Sequence, residues 1–358
     1  MPKMLEHFRS EILDIPNHYK KIDPNSVKLN LMESPFTIPD ELQNIIKKKL
    51  CFSDINRYPD PECTSLTKKI ISSFSIKDGE ILLGNGLMEL IQLICWAFSK
   101  PGEYVMIPSP SFFIFRRYIR QAHMQIIEAP LTENFNLDIK KCLEIIKNYN
   151  PRIIFIDYPN NPTGNLFNIN DILLILSTSD GIVVVDEAYF PHSNSTLMSY
   201  LNKYENLIIL RSFSKMGFAA LRLGFIAANK EIIQYIKKAQ YPFAINSYIQ
   251  IIAEVVLEHM ATINEKIHEI ANLKKKMHFS LSKIREISQF PSFANFILFK
   301  TDRNSDHINE HLIKNNILIN SLNGTNPLLK NCLRVAIGSE KDNEIFLEGL
   351  FDALDCTE

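Results

Sequence analysis

From about residue 78 onward, short apolar runs alternate with amphipathic stretches. The runs at 80–83, 104–107, 125–129, 152–156, 182–185, 207–210 and 223–227 are four or five residues long and rich in Ile, Val and Leu. Segments 87–98, 112–121, 138–148 and 169–178 lie between them with helix-like spacing of their apolar positions. A run that is apolar on both faces suits a parallel strand covered by helices on each side. The pattern therefore predicts an α/β fold with a mostly parallel, seven-stranded sheet between helices. Residues 229–288 read as almost wholly helical, ending before Pro291. After that the order changes to strands at 293–299, 317–319 and 333–337 with helices at 305–315 and 340–354, Ser339 capping the last. That mixture predicts a smaller α+β domain. Residues 1–35 are polar, irregular and interrupted by Pro2, Pro16, Pro24 and Pro35, and read as an arm rather than a core. The expected organisation is an arm or part of the small domain over 1–35, a large domain over 36–248 and a small domain over 249–358.

Composition narrows the function without naming it. The 358 residues carry 39 Lys+Arg against 40 Asp+Glu, so no strong field for nucleic acid is expected. The six cysteines are scattered, with no CxxC pair and no His at ligand spacing, which argues against a zinc site or a disulfide framework. No apolar run approaches the roughly 20 residues of a membrane span, and the first residues lack an apolar signal core. A cytoplasmic protein is the expectation. There are only 11 glycines, where average usage would give about 25. Five of them (Gly84, Gly86, Gly164, Gly217 and Gly224) fall in the segments that follow or flank the predicted strands.

In α/β sheets ligands bind at the carboxyl ends of strands, so the polar residues there are the candidates for chemistry. After 80–83 comes Gly84-Asn85-Gly86-Leu87-Met88-Glu89, which opens a helix whose free N–H groups could take a phosphate or simply form a turn. It lacks the third Gly of a dinucleotide fingerprint, and no acidic residue ends the next strand, so a nicotinamide dehydrogenase is a poor reading. After 152–156 comes DYPNNPTG, a rigid loop whose Pro and Gly follow from turn chemistry but whose Asn160 and Asn161 do not require it. The run 182–185 ends in Asp186-Glu187-Ala188-Tyr189, and a carboxylate there is costly unless a cation faces it. The run 207–210 ends in RSFSKMG with Arg222 close behind. Lys215 there could be a surface residue or an amine whose pKa is depressed by burial and a neighbouring cation.

Taken together, VKLNLMESPF (27–36), NRYPDP (56–61), ILLGNG (81–86), PSPSF (108–112), YPNNPTG (158–164), VVVDEAY (183–189), SFSK (212–215), LRLGF (221–225) and LRVAIG (333–338) resemble one family almost end to end. The chain is similar to fold-type-I, pyridoxal-phosphate-dependent aminotransferases, and among them to the histidinol-phosphate aminotransferases. The resemblance implies an amino transfer between L-histidinol phosphate and 2-oxoglutarate, giving imidazole-acetol phosphate and L-glutamate, by a homodimer. It makes Lys215 the Schiff-base lysine and proton shuttle. Asp186 would pair with the pyridinium nitrogen, Asn161 and Tyr189 with the phenolic oxygen, and Phe112 would stack on the ring. The N–H groups of Leu87 and Met88, with Ser212, Ser214 and Arg222, would hold the cofactor phosphate, and Tyr58 would reach the phosphate of the other subunit. Arg334 would grip the substrate carboxylate in a bidentate fork. Tyr19, Asn30 and Asn320 would line the substrate mouth.

Three positions depart from the family pattern. Leu87-Met88 stand where Ser-Asp is usual, Lys215 and Arg222 are seven apart rather than eight, and Asn320 replaces a basic residue that helps hold the substrate phosphate. Arg116, Arg117 and Arg120 are cations that could substitute for it, but a solvated helix face explains them as well. Asn320 keeps open a transaminase for an aromatic or other unphosphorylated amino acid. A threonine-phosphate decarboxylase shares several of the motifs. An inactive cofactor-binding paralogue is opposed by Lys215, Asp186, Asn161 and Arg334.

Overall fold

The computed structural model describes residues 7–8, 23–51, 54–77 and 79–355. The strands are β1 (Val27–Lys28), β2 (Ile81–Gly84), β3 (Tyr104–Ser109), β4 (Gln125–Pro130), β5 (Ile153–Asp157), β6 (Ile182–Asp186), β7 (Leu207–Ser212), β8 (Gly224–Ala228), β9 (Ile287–Gln289), β10 (Phe296–Thr301), β11 (Ile317–Leu318), β12 (Asn320–Ser321) and β13 (Cys332–Ala336). The helices are α1 (Asp40–Leu50), α2 (Thr64–Phe74), α3 (Leu87–Phe98), α4 (Phe113–Gln121), α5 (Ile139–Tyr149), α6 (Ile169–Thr178), α7 (Phe190–Ser193), α8 (Lys230–Lys237), α9 (Ser247–Glu258), α10 (Met260–Leu281), α11 (Ser305–Lys314) and α12 (Glu340–Asp355).

The main sheet has seven strands in the order β2-β8-β7-β6-β5-β3-β4. Strand β8 runs antiparallel to both its neighbours, and the other six share one direction. The period of two sorts each strand between two cores. Met106, Ile154, Ile156, Val183, Val185, Leu207 and Ile209 face one core. Val105, Ile107, Ile153, Phe155, Val184, Ile208 and Leu210 face the other, beneath α3 and α4. Burying each such side chain contributes about 1.5–3 kcal/mol, which is why the apolar runs were readable as strands. The strand ends Ser109, Asp157, Asp186 and Ser212 therefore line one edge of the sheet.

A second, four-stranded sheet, β12-β13-β10-β9, packs under α10, α11 and α12 around its own core. The expected cap holds: Ser339 Oγ accepts the Asp342 N–H at 3.2 Å, and the Asp342 carboxylate accepts the Ser339 N–H at 3.1 Å. One expectation needs correction. Residues 229–288 are not one helical stretch. Phe243 takes a φ of +60° after Pro242, Asn246 recaps α9, and Ile287–Gln289 is a strand paired with β10. Three residues are too short a strand to show a period of their own. Residues 23–35, expected as an arm or part of the small domain, lie against the second core. Strand β1 pairs with β11, and Leu29 and Met32 are buried in the second core. Helices α1 and α2 were not anticipated.

One buried ion pair ties β6 to β7. Glu187 is fully buried and meets Arg211 at 2.7 Å, while Thr196 Oγ1 and the Leu197 N–H donate to the same carboxylate at 2.8 and 2.6 Å. Phe190 covers the guanidinium at 3.4 Å. Removing one partner leaves the other charge buried and unpaired. Glu187→Ala is therefore expected to cost about 3–5 kcal/mol, read by urea unfolding. A loss under about 1 kcal/mol would mean that water reaches Arg211 in the variant.

Candidate functional site

Lys215 sits in a one-turn 3₁₀ helix, Ser214–Met216, just after β7. Its Nζ donates to the carbonyls of Leu31 at 3.0 Å and Met32 at 3.2 Å and lies 5.6 Å from the centre of the Tyr189 ring. Lost hydration is the main cause that lowers its pKa, to about 8, and Arg334 adds to it. At pH 7.5 roughly a quarter of such an amine is neutral, against about a tenth of a percent at the ordinary lysine value.

Asp186 and Asp157 end adjacent strands and pair in register. Both are buried. The Ala188 N–H donates to Asp186 at 2.9 Å, and the Phe112 N–H donates to Asp157 at 2.8 Å. Burial pushes Asp186 up to about 7, and burial together with the Asp186 charge holds Asp157 well above the usual carboxylate range. The charges of Lys215 and Arg116 act on them from a distance, but neither carboxylate forms a salt bridge among the described residues, so the pair is placed to stabilise a cation. Asp157 carries the same signal as Asp186, a carboxylate closing a buried apolar run, and was missed as a candidate.

Arg334, at the middle of β13, is buried, and its Nη1 donates to Asn161 Oδ1. Its Nε is buried with no partner among the described residues. The guanidinium lies 5.3 Å from the centre of the Phe296 ring, which in turn meets Tyr189 edge-on at 5.3 Å. Asn160 does different work: its amide donates to Thr163 and to the Pro110 carbonyl and holds the loop. Asn320 pairs in register with Arg334 and donates to the Asn30 carbonyl at 2.6 Å, while Asn30 Oδ1 is buried with no partner among the described residues. The sheet thus brings Asn30, Asn161, Asn320 and Arg334 together.

Gly86 stands at the N-cap of helix α3 and offers no capping side chain, so the first helical N–H groups have no side-chain acceptor among the described residues. A Cβ on Gly86 would stand 2.8 Å from Arg222 Nη2, and the φ of +81° there favours glycine as well. That close approach puts the guanidinium beside the helix start, a cradle for an anion. Ser212 Oγ accepts the Ser214 N–H at 3.1 Å beside it. Leu87 packs toward the core and Met88 is exposed, so neither side chain supplies a polar group. Phe112 is partly buried and meets Phe113 and Phe115 edge-on. Tyr58 does not join the cluster: it is 82% exposed and stacks on Phe243 at 4.7 Å. Tyr19 lies outside the described residues.

Arg116 pairs with Glu128 at 2.9 Å. No group of His, Cys, Asp and Glu among the described residues could hold a metal ion. None of their helices is long and apolar enough to cross a membrane.

The model of the family "aminotransferase class I and II" matches residues 25–350. The histidinol-phosphate aminotransferase of Vesicomyosocius okutanii is 37% identical over 340 residues, covering 95% of this chain and 95% of that protein. The chain belongs to the class I and II aminotransferases, in the histidinol-phosphate aminotransferase family. A second relative, the histidinol-phosphate aminotransferase of Thermoanaerobacter pseudethanolicus, is 35% identical over 353 residues, with 98% of this chain and all of that protein covered. Among solved structures, the histidinol-phosphate aminotransferase of Clostridium acetobutylicum superposes with a TM-score of 0.84 at 27% identity, over 92% of this chain and 99% of that one. That of Sinorhizobium meliloti, solved in complex with pyridoxal 5′-phosphate, reaches 0.88 over 98% of both chains at 18% identity and speaks to the fold.

Proposed function

We propose that this aminotransferase uses pyridoxal 5′-phosphate to move an amino group between L-histidinol phosphate and 2-oxoglutarate. The observation that carries the reading is the meeting of a depressed lysine amine, a buried carboxylate pair and a buried arginine with an unpartnered Nε in one site. The residues fit the cofactor on their own chemistry. Among the described residues the carboxylate pair forms no salt bridge, the N–H groups after Gly86 have no side-chain acceptor beside Arg222, and Lys215 Nζ meets main-chain carbonyls rather than a carboxylate.

Asp186, supported by Asp157, would hold the protonated ring nitrogen, and Asn161 and Tyr189 the phenolic oxygen. Phe112 would cover the ring. The N–H groups of Leu87 and Met88, with Ser212, Ser214 and Arg222, would hold the phosphate. When bound, the cofactor supplies an electrophilic carbonyl and an electron sink for cleavage at the substrate Cα. Lys215 Nζ would accept the proton released from the substrate Cα and hold it for return, so that one side chain serves as both base and acid. Arg334 orients the oxo-acid carboxylate, and Asn161 fixes the guanidinium plane that does so.

Exposed Ile55, Tyr58, Tyr241, Phe243 and Tyr248 support a homodimer in which Tyr58 serves the neighbouring site. A cytoplasmic location accords with that reading. The boundary between the two domains, expected after residue 248, is proposed instead near His259, because α9 packs on α1 and α2 whereas α10 packs on β9, β10 and α12.

A second reading, an unphosphorylated amino donor, is favoured by the neutral Asn320 beside Arg334. Glutamate formation from 2-oxoglutarate separates the two with L-histidinol phosphate, L-histidinol, L-phenylalanine and L-threonine phosphate as donors. Histidinol phosphate is expected to give the highest kcat/KM. Turnover with phenylalanine but not with histidinol phosphate selects the second reading, and release of carbon dioxide from threonine phosphate defeats both.

A further inference from the structure

The turn that carries Lys215 leaves its carbonyl in need of a donor. The 3₁₀ helix Ser214–Met216 stops at Gly217, whose φ is +104°. The Phe218 N–H then returns to the Phe213 carbonyl at 3.2 Å instead of continuing the turn. Among the described residues no main-chain N–H reaches the Lys215 carbonyl. His192 does: its Nε2 lies 2.9 Å from that oxygen. A carbonyl can only accept, so Nε2 must carry the hydrogen.

His192 is placed by the same segment that carries the carboxylate and the tyrosine. It lies on α7, directly after Tyr189, and its own N–H donates to the Tyr189 carbonyl at 2.9 Å. Burial lowers its pKa to about 4, and Lys274 and Lys215 act in the same direction against the carbonyl bond. The ring is therefore neutral at pH 7. Lys274 is itself occupied, donating to the carbonyls of Ser292 at 2.9 Å and Ala294 at 2.7 Å. Lys215 is thus held at both ends, its peptide by His192 and its amine by the Leu31 and Met32 carbonyls.

We propose that His192 is a positioning residue for Lys215, donating Nε2–H to the Lys215 carbonyl and so fixing the peptide from which the amine enters the site. The proposal rests on reading Lys215 as the reactive amine.

Two measurements test it. Long-range ¹⁵N–¹H spectra of the cofactor-free chain at pH 7 should show His192, assigned by its loss in His192→Gln, protonated at Nε2. An unprotonated Nε2 overturns the proposal, whether or not the protein is a transaminase. In the loaded enzyme, His192→Phe should lower kcat by roughly tenfold to a hundredfold, the scale of a small misplacement of a reacting group. KM for the amino donor should stay within about twofold. His192→Gln, whose amide nitrogen can stand where Nε2 stood, should recover most of that loss. Equal losses in both variants, or a folded Phe variant with normal kcat, overturn the proposal. If the Phe variant does not fold, the tautomer decides it. A wild-type chain that transaminates no donor would defeat the functional reading, and the tautomer would still decide the role of His192.

Discussion

Lys215→Ala is expected to lower transamination by roughly 10³-fold or more, since it removes both the nucleophile and the proton-transfer group. It should also abolish the visible absorbance that the wild-type chain acquires with pyridoxal phosphate. Both readouts are needed, because a variant that merely misplaces the amine would keep the colour and lose the rate. The pH dependence follows from the shift. The amine is charged below its folded pKa of about 8 and neutral above it, whereas an ordinary lysine stays charged to about 10.5. Uptake of the cofactor by the cofactor-free chain should therefore accelerate with pH and reach half its maximum near 8. A midpoint near 10.5 would show that the amine is hydrated and that burial does not depress it. Unchanged turnover in Lys215→Ala would remove Lys215 from the mechanism altogether.

Arg334→Lys should be the next most damaging change. The buried guanidinium already commits one nitrogen to Asn161, and its Nε has no partner among the described residues. A carboxylate facing it gains a planar, two-point contact that an ammonium cannot reproduce. A charge-assisted hydrogen bond contributes about 1.5–3 kcal/mol, so kcat/KM for 2-oxoglutarate should fall roughly tenfold to 150-fold. The loss should appear mainly in KM, with the visible absorbance intact, because in the proposed role the residue would touch the carboxylate and not the reacting carbon. An equal loss of colour would instead place Arg334 among the residues that hold the cofactor.

Most of the sheet was legible because its strands are buried on both faces. Ile153–Ile156 has no polar position to blur the run, and the carboxylate closing it marks the edge where ligands bind. Asp186 was legible for the same reason. Asp157 was overlooked because a loop of prolines follows it and draws attention to Asn160 and Asn161. Their contrast was not legible at all. Adjacent in sequence, one amide locks the loop and the other meets Arg334, 173 residues away. Val27–Lys28 and Ile287–Gln289 escaped because strands of two or three residues have no period to read.

The chain by itself determined the α/β layering, the polar residues at the strand ends, the glycines at Gly86 and Gly217, and the family motifs that place Lys215, Asp186 and Arg334 in one lineage. Those features are local, because alternation, turn chemistry and motif spacing act within a few residues. Only the tertiary structure decided that the Leu31 and Met32 carbonyls receive the lysine amine. It also decided that Asp157 shares the charge problem of Asp186, that Asn320 lies beside Arg334, and that His192 supplies the donor which the turn at Gly217 leaves missing. Each of these is a hydrogen bond or a Coulomb contact between segments far apart in sequence. Its energy depends on distance and on the exclusion of water, and neither quantity exists until the sheets have packed.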